Sequence, residues 1–368
     1  MSNEKKLMLI TGVNGRIGRY CVKRFKDRFH IIGFDRKQHE DLADIEHILM
    51  DVSSDENVIR GLDEVKQKHG DNICSFIHLA AYYSFGEERP ELYEEITVKG
   101  TQRILRKLQE FNVEQFLFSS TLLVHAPCKI GNKINEDSPF AGRWGYPNSK
   151  IRTEHIMHEE HGNIPIVIMR IAGCYDDECH CIPIGENIRR IYEHEFESHL
   201  FPGSILHGNP FLHFEDLMDA IELAIEKRKS LPNETTLLIG EDRTVSYGML
   251  QNVISACLDH REFRIFRIPK WVAKEGAWIE SHVPLISDGF IQPWMIDVAD
   301  DNYEIDITRA KELLGWQPKH FVKDDIPLMM ELLKEDPLKW YRTNHLKPPH
   351  WLEKTVAEMH GKRLGHVS

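Results

Sequence analysis

The hydrophobic pattern of the first half of the chain alternates between two periods. Short, nearly continuous apolar runs have the length and composition of strands: "KLMLITG" (6–12), "HIIGFD" (30–35), "HILMDV" (47–52), "CSFIHLAA" (74–81), "QFLFSST" (115–121) and "IPIVIMRI" (164–171). Segments with helical spacing lie between them. In "RIGRYCVKRFKD" (16–27), Ile17, Cys21, Val22 and Phe25 share one face. A polar helix candidate covers about 54–69, and a longer one about 91–111, where Leu92, Ile96, Val98, Ile104 and Leu108 recur near helical spacing. Strands that are apolar along their whole length, rather than alternating, call for burial on both faces. The pattern therefore predicts an α/β fold, a doubly wound parallel sheet covered by helices on both sides.

After about residue 172 the pattern loosens. "CYDDECHCIPIGEN" reads as an irregular loop, "LHFEDLMDAIELAIEKR" (212–228) returns to strong helical periodicity, and "TLLIG" (236–240) is one more strand. Residues 260–300 are rich in Pro and Trp, and from about 335 the chain is polar, aromatic and broken by prolines. The expected organisation is a nucleotide-binding domain over 1–171, its sheet completed by about 205–240. A smaller substrate-binding region would take 172–204 and 241–335, with a C-terminal tail over 336–368.

With 368 residues and 41% hydrophobic composition, the chain can bury one large core or two modest ones. A formal net charge of -12 and the lack of a basic stripe argue against a nucleic-acid binder. The longest apolar runs are strand-sized, far short of a membrane span. The charged start "MSNEKK" has no apolar stretch behind it that would read as a secretory signal. Seven scattered cysteines suggest reduced thiols and a cytoplasmic protein. Cys174, Cys179, His180 and Cys181 cluster, but their spacing matches no common zinc finger, so they are read as ordinary thiols and no metal is expected.

Candidate chemistry begins at "LMLITGVNGRIGRY" (7–20), where Gly12, Gly15 and Gly18 stand three apart between a strand and a helix. The first glycine permits the tight turn off the strand. The second allows backbone approach to a pyrophosphate, and the third lets the helix pack close to the sheet. The pyrophosphate would rest on the amides and positive dipole of the helix start. Asp35 ends the second strand, 17 residues after Gly18. A carboxylate there accepts bonds from a ribose diol and repels a 2′-phosphate, which favours NAD, although the neighbouring Arg36 suits NADP.

The second feature is "YPNSK" (146–150), which puts Tyr146 and Lys150 one helical turn apart. A nearby ammonium favours the phenolate form of Tyr146, which can then act as general acid/base on an alcohol or carbonyl. The alternative is a plain surface Tyr–Lys pair. The third is "FLFSSTLLVHAP", where small hydroxyls end a strand. Thr121 or Ser120 could bond the reacting oxygen, or simply cap the next helix.

Together these features resemble the extended branch of the short-chain dehydrogenase/reductase superfamily, the NAD-dependent epimerase/dehydratase family with its Rossmann sheet. The matching residues are "TGVNGRIG", Asp35, "DV" (51–52), "HLAA" (78–81), "VKGT" (98–101), "SST" (119–121), "YPNSK", Arg170, "LHFEDL" (212–217) and "DITRAKELLGWQP" (306–318), in order over about 6–320. The resemblance implies that Gly12, Gly15, Arg16, Ile17 and Gly18 cradle the pyrophosphate and that Asp35 and Arg36 meet the adenosine ribose. It places Asp51 and Val52 beside the adenine, with Leu79, Ala80, Ala81 and Ser119 along the dinucleotide. Tyr146, Lys150 and Thr121 would form the catalytic set. Tyr82 or Tyr83 would face a small-molecule substrate, with Thr121; His125 could touch it as well, the preferred reading being an ordinary packed or surface histidine. It also implies a homodimer packed through the helices carrying "ELYEEITVKGTQRILRKL" and "YPNSKIRTEHIMHEEH".

Departures from the family pattern narrow the chemistry. The sugar-nucleotide 4,6-dehydratases carry an Asp-Glu pair after the catalytic Thr; here it is Leu122-Leu123, which cannot transfer protons. The Glu of the branch's decarboxylases is absent. His125 replaces a Tyr, Thr97 and Gly173 stand where sugar-nucleotide enzymes carry Asn, and "HGNPFLHFED" lacks their Arg. Arg189, Arg190 or Arg309 could still meet a phosphate. The expected activity is hydride transfer between an alcohol or ketone carbon and the nicotinamide. A sugar-nucleotide 4-epimerase with tightly bound NAD is the alternative, separated by the absence of net NADH. A non-catalytic NAD-binding regulator is a third reading, disfavoured by the retained Tyr and Lys.

Overall fold

A computed structural model describes residues 5–84, 89–259, 263–275 and 293–354. Part of the Pro- and Trp-rich stretch and the end of the tail lie outside these residues. Two compact units are present. The first comprises 1–172, 214–242 and 305–318, and the second 173–213, 243–304 and 319–368.

The first unit is built on seven parallel strands: β1 (Lys6–Thr11), β2 (Phe29–Asp35), β3 (Glu46–Leu49), β4 (Ser75–His78), β5 (Phe116–Thr121), β6 (Ile166–Ile171) and β7 (Glu234–Ile239), ordered β7-β6-β5-β4-β1-β2-β3. Every pairing in this sheet is parallel, as strands buried on both faces require. β5 and β6 are buried at all positions. Phe34, Phe76, Phe116 and Phe118 lie in one core cluster with Leu62, Ile104 and Leu108 of the covering helices. Burial of each such side chain contributes roughly 1.5–3 kcal/mol. The strand order reverses between β1 and β4, which opens a crevice at their carboxyl ends.

Four helices position the site: α1 (Arg16–Phe25), α2 (Asp55–His69), α3 (Lys99–Leu108) and α4 (Gly145–Glu160). The segment expected as one helix over 91–111 is three pieces, with a π-helical turn at Tyr93–Val98 before α3. The turn packs against α4, and the Thr97 side chain in it accepts from the Tyr82 amide at 3.0 Å. Residues 305–318, which the sequence placed with the substrate region, belong to this unit. Trp316 is buried and its indole donates to the Asp216 carbonyl at 2.9 Å.

The second unit has its own apolar cluster, including Ile184, Ile188, Val322, Ile326, Trp340 and Tyr341. Among the described residues its sheet content is three two-stranded pairs, one of them Gly173–Tyr175 with Phe211–His213. Two sequence expectations change here. The second half of "CYDDECHCIPIGEN" is helical, Ile182–Tyr192. Pro183 stands in its first turn, where no amide donor is needed, and Ile184, Ile188 and Ile191 give it a buried stripe. The start of the tail is also structured. Asp336 caps the helix Pro337–Thr343 by accepting from the Lys339 amide at 2.9 Å, with Trp340 and Tyr341 buried. No helix among the described residues is long and apolar enough to cross a membrane.

Candidate active site

The glycine turn sits at the switch point. Gly12 has φ +68°, and a Cβ there would lie 2.9 Å from the Ala80 amide nitrogen, so the β1 turn and the strand end at Leu79–Ala81 touch backbone to backbone. A Cβ on Gly18 would lie 2.5 Å from the Val13 carbonyl oxygen, which is how closely α1 approaches the turn. Gly15 is the N-cap of α1, whose first turn has neither a side-chain cap nor an acid. By contrast, Ser54 caps α2, where Asp55 and Glu56 occupy the first turn. The first turn of α1, at Arg16, Ile17 and Gly18, thus carries no acid of its own, as α2 does.

Asp35 closes β2 beside this turn. One carboxylate oxygen accepts from the Asn14 amide at 3.1 Å and the other from the Arg36 amide at 2.8 Å, so the group is fixed at the mouth of the crevice. Asp51 is held below the usual carboxylate range. Burial, which opposes this, is outweighed by the hydroxyl and amide of Ser53, with Arg36 and Arg103 nearby. Val52 is buried. The glycine cradle, the uncapped helix start and the fixed carboxylate are the donor and acceptor set that a dinucleotide's pyrophosphate and ribose require.

Deeper in the crevice is a chain of buried hydrogen bonds. The Thr11 hydroxyl donates to His78 Nδ1 at 2.6 Å and accepts from the Leu79 and Ala80 amides. His78 Nε2 lies 2.9 Å from the Thr101 hydroxyl, which donates to the Thr97 carbonyl at 2.7 Å. Directed donation along this chain makes His78 a neutral Nε2–H tautomer. Burial, reinforced by the charge of Lys150, pushes its pKa down to about 3. The sequence reading missed this network, whose members are scattered over four elements.

On α4, Tyr146, Lys150 and Glu154 are successive i, i+4 positions facing β5. Lys150 is 1% exposed. Its ammonium donates to the Ser119 carbonyl at 2.6 Å and lies 4.5 Å from the Phe118 ring centre and 5.7 Å from that of Tyr146. Burial brings its pKa down to about 7, against an opposing pull from Glu154. The Tyr146 ring meets Tyr83 edge-on at 4.7 Å and Trp144 at 5.5 Å. Tyr83 is 47% exposed, while Tyr82 packs edge-on against Tyr93. Thr121 ends β5, and its hydroxyl accepts from the Leu123 amide at 3.3 Å, capping the short helix Leu122–Val124. The Ser119 hydroxyl donates to the His78 carbonyl.

Of the two readings of His125, substrate contact or packed histidine, the structure shows the packed one. This residue is fully buried, with Nδ1 3.0 Å from the Ser138 carbonyl and Nε2 3.1 Å from an Arg170 nitrogen. Burial and the Arg170 charge lower its pKa to about 4. It is a packed element of a salt-bridge network, not a group open to substrate. That network centres on Glu154 and Arg170, 1% and 4% exposed, joined through both Arg170 Nε and Nη2, the latter at 2.6 Å. Ser120, paired in register with Arg170, also donates to Glu154. Glu154 was legible only as the next turn after Tyr146 and Lys150. The arginines considered for phosphate are engaged by acids: Arg189 by Glu186, Glu193 and Glu195, Arg190 by Glu186, and Arg309 by Glu136 and Asp137.

A parallel sheet in this order, with a glycine turn at its switch point and a Tyr–Lys helix facing the next strand end, defines a Rossmann-type nucleotide-binding enzyme fold. The chain belongs to the NAD dependent epimerase/dehydratase family, the extended short-chain dehydrogenases/reductases, which it matches over residues 8–240. It is similar to the UDP-glucose 4-epimerase of Halalkalibacterium halodurans, 25% identical over 341 residues, 85% of this chain and 91% of that protein. It is also similar to short-chain dehydrogenase/reductase family 42E member 1 of Danio rerio, 24% identical over 351 residues, 86% of each. Among solved structures it resembles MoeE5 in complex with UDP-glucose and NAD, with a TM-score of 0.66 and 18% identity over 89% of this chain and 98% of that one. The NAD complex of dTDP-glucose 4,6-dehydratase from Bacillus anthracis gives a TM-score of 0.67 and 17% identity over 92% and 99%.

Proposed function

We propose that this chain is an NAD-dependent oxidoreductase acting at an alcohol or ketone carbon, with Tyr146 as general acid/base. The observation that carries this reading is the Tyr146–Lys150 pair on α4, with the Lys150 ammonium buried and fixed on the Ser119 carbonyl. Gly12, Gly15, Arg16, Ile17 and Gly18 would hold the pyrophosphate and Asp35 the adenosine ribose. Asp51 and Val52 would flank the adenine, and Leu79, Ala80 and Ala81 would line the crevice. NAD supplies a hydride acceptor and donor at its nicotinamide ring when bound.

The protein's own part is proton transfer and orientation. Tyr146 takes the proton of a substrate alcohol, or returns one to a carbonyl oxygen. Lys150 favours the anionic phenolate by Coulomb attraction, and its fixed position keeps that charge in place. Thr121 lies at the same strand end, where its hydroxyl can bond the reacting oxygen. Tyr83, partly exposed against Tyr146, would contact the substrate. Leu122 and Leu123 leave no carboxylate beside Thr121 for water elimination.

A second reading, a sugar-nucleotide 4-epimerase, is favoured by the full-length similarity to a UDP-glucose 4-epimerase. In that case cofactor oxidation and reduction cancel within a turnover. The free thiols and the acidic charge suit a cytoplasmic protein, and the faces of α3 and α4 suit a homodimer, which light scattering checks.

The deciding experiment incubates the purified protein with NAD and a panel of alcohols and UDP-hexoses, following absorbance of reduced nicotinamide and sugar composition together. Net NADH formation that disappears in Tyr146→Phe supports the oxidoreductase. Interconversion of UDP-hexoses without net NADH establishes the epimerase instead. Turnover that is unchanged in Tyr146→Phe overturns both.

A further inference from the structure

Among the described residues, one group of three potential metal ligands converges: His30, Glu46 and His69. His30 is the second residue of β2, Glu46 the first of β3 and His69 the last of α2. All three lie at the amino ends of the strands. Asp35 closes the opposite end of β2, about 17 Å away along a strand of this length. The group is therefore separate from the nucleotide crevice.

Its geometry points inward. Nε2 of His69 is 2.9 Å and Nε2 of His30 is 3.7 Å from the same oxygen, Oε2 of Glu46. The ligand atoms of all three fall within 4.8 Å of one another, and the two imidazoles lie 4.9 Å apart at 40°. In a tetrahedral site with bonds of about 2.0 Å, ligand atoms stand about 3.3 Å apart. The two distances to Glu46 bracket that value, and small side-chain rotations close the rest. Both Nε2 atoms are shut off from solvent; that of His30 makes no hydrogen bond, and that of His69 meets the Glu46 carboxylate. The His30 nitrogen in that condition carries an uncompensated desolvation cost, which coordination removes. The side chains themselves are only partly buried, 43%, 28% and 23% exposed for His30, Glu46 and His69, so an ion can enter.

We propose that His30, Glu46 and His69 form a binding site for a divalent transition ion, zinc being the best match. Two imidazoles and a carboxylate are a borderline donor set that leaves a fourth position for water. The ion would tie the carboxyl end of α2 to the β2–β3 edge. It would therefore act on stability rather than on the reaction. Lys68, whose ammonium lies 3.5 Å from the other oxygen of Glu46, competes for the carboxylate.

The test is calorimetric titration of the full chain with zinc chloride in a non-chelating buffer, joined to thermal melting. One equivalent is expected to bind, with the melting temperature rising on the order of 5 °C at saturating zinc. Affinity should fall at least tenfold in His30→Asn and in His69→Asn, and hold or tighten in Lys68→Met. Cobalt(II) bound in place of zinc should show nitrogen and oxygen ligation without a thiolate charge-transfer band. Glu46→Gln, a near-isosteric change, should lose affinity equally and decides the matter should a histidine variant fail to fold. No binding by the parent chain, equal binding by the variants, or a thiolate band that places the ion on the cysteines would each overturn the proposal.

Discussion

The ammonium of Lys150 donates to the main-chain carbonyl of Ser119 at 2.6 Å inside a core that leaves the side chain 1% exposed. A cation in that position is costly, and burial depresses its pKa to about 7 from 10.5. The unfolded chain keeps the proton up to the ordinary lysine range, so between about pH 7 and 10.5 it binds more protons than the folded one. Stability contributed by this group therefore rises with pH across that window and is lowest below it. Without cofactor, Lys150→Met should gain in melting temperature relative to the parent chain at pH 6, and the difference should shift against the variant by pH 10. Melting curves that run parallel across this range would show that the buried lysine is not titrating there.

Beneath Lys150, Glu154 and Arg170 form a pair that neither can leave without stranding the other. Removing one partner of a buried pair costs about 3–5 kcal/mol. Glu154→Ala and Arg170→Ala should each lose that much in denaturant unfolding. The double variant should lose clearly less than the sum, since the second deletion removes the orphaned charge. Additive losses would mean that the two residues act independently.

The strands and the reactive helix could be read from local pattern because their signals are local. Continuous apolar runs such as "FLFSST" reflect burial on both faces, and Tyr146 and Lys150 are neighbours by helical spacing alone. What stayed hidden is long-range. Glu154 finds Arg170 from the next strand, and His78 finds Thr11 and Thr101 from three separate elements. His125 could be read from sequence as a substrate contact or a packed histidine, and only the fold brings Arg170 and Ser138 against it. The π-helical turn at Tyr93–Val98 is a packing outcome that periodicity near 3.6 does not foretell. His30, Glu46 and His69 come together only because β2, β3 and the end of α2 meet at one edge.

The closeness of α1 to the glycine turn yields a third structural prediction. At Gly18 an added methyl would meet the backbone of Gly12 and Val13 at 2.5–2.7 Å, and backbone cannot swing aside as a side chain can. Gly18→Ala should destabilise the chain by about 1–3 kcal/mol, the usual range for overpacking. It should also abolish the upward shift in melting temperature produced by NAD, because displacing α1 moves its first-turn amides. An NAD-induced shift equal to that of the parent chain would mean that the turn does not carry the pyrophosphate.

On the proposed reading, Asp35 would decide between the two nicotinamide dinucleotides. Its carboxylate is held by the amides of Asn14 and Arg36, and its remaining lone pairs can accept from a ribose diol, whereas a 2′-phosphate would meet like charge. Hydrogen bonds to a charged group contribute about 1.5–3 kcal/mol, which corresponds to roughly 10–100-fold in affinity. Asp35→Ser should weaken NAD by that factor. It should strengthen NADP at the same time, since the repulsion is gone and the Arg36 guanidinium remains beside the site. Titrating both dinucleotides against intrinsic fluorescence gives the two constants directly. Loss of affinity for both would mean that the substitution has collapsed the turn. Unchanged NAD affinity would remove Asp35 from the adenosine ribose altogether.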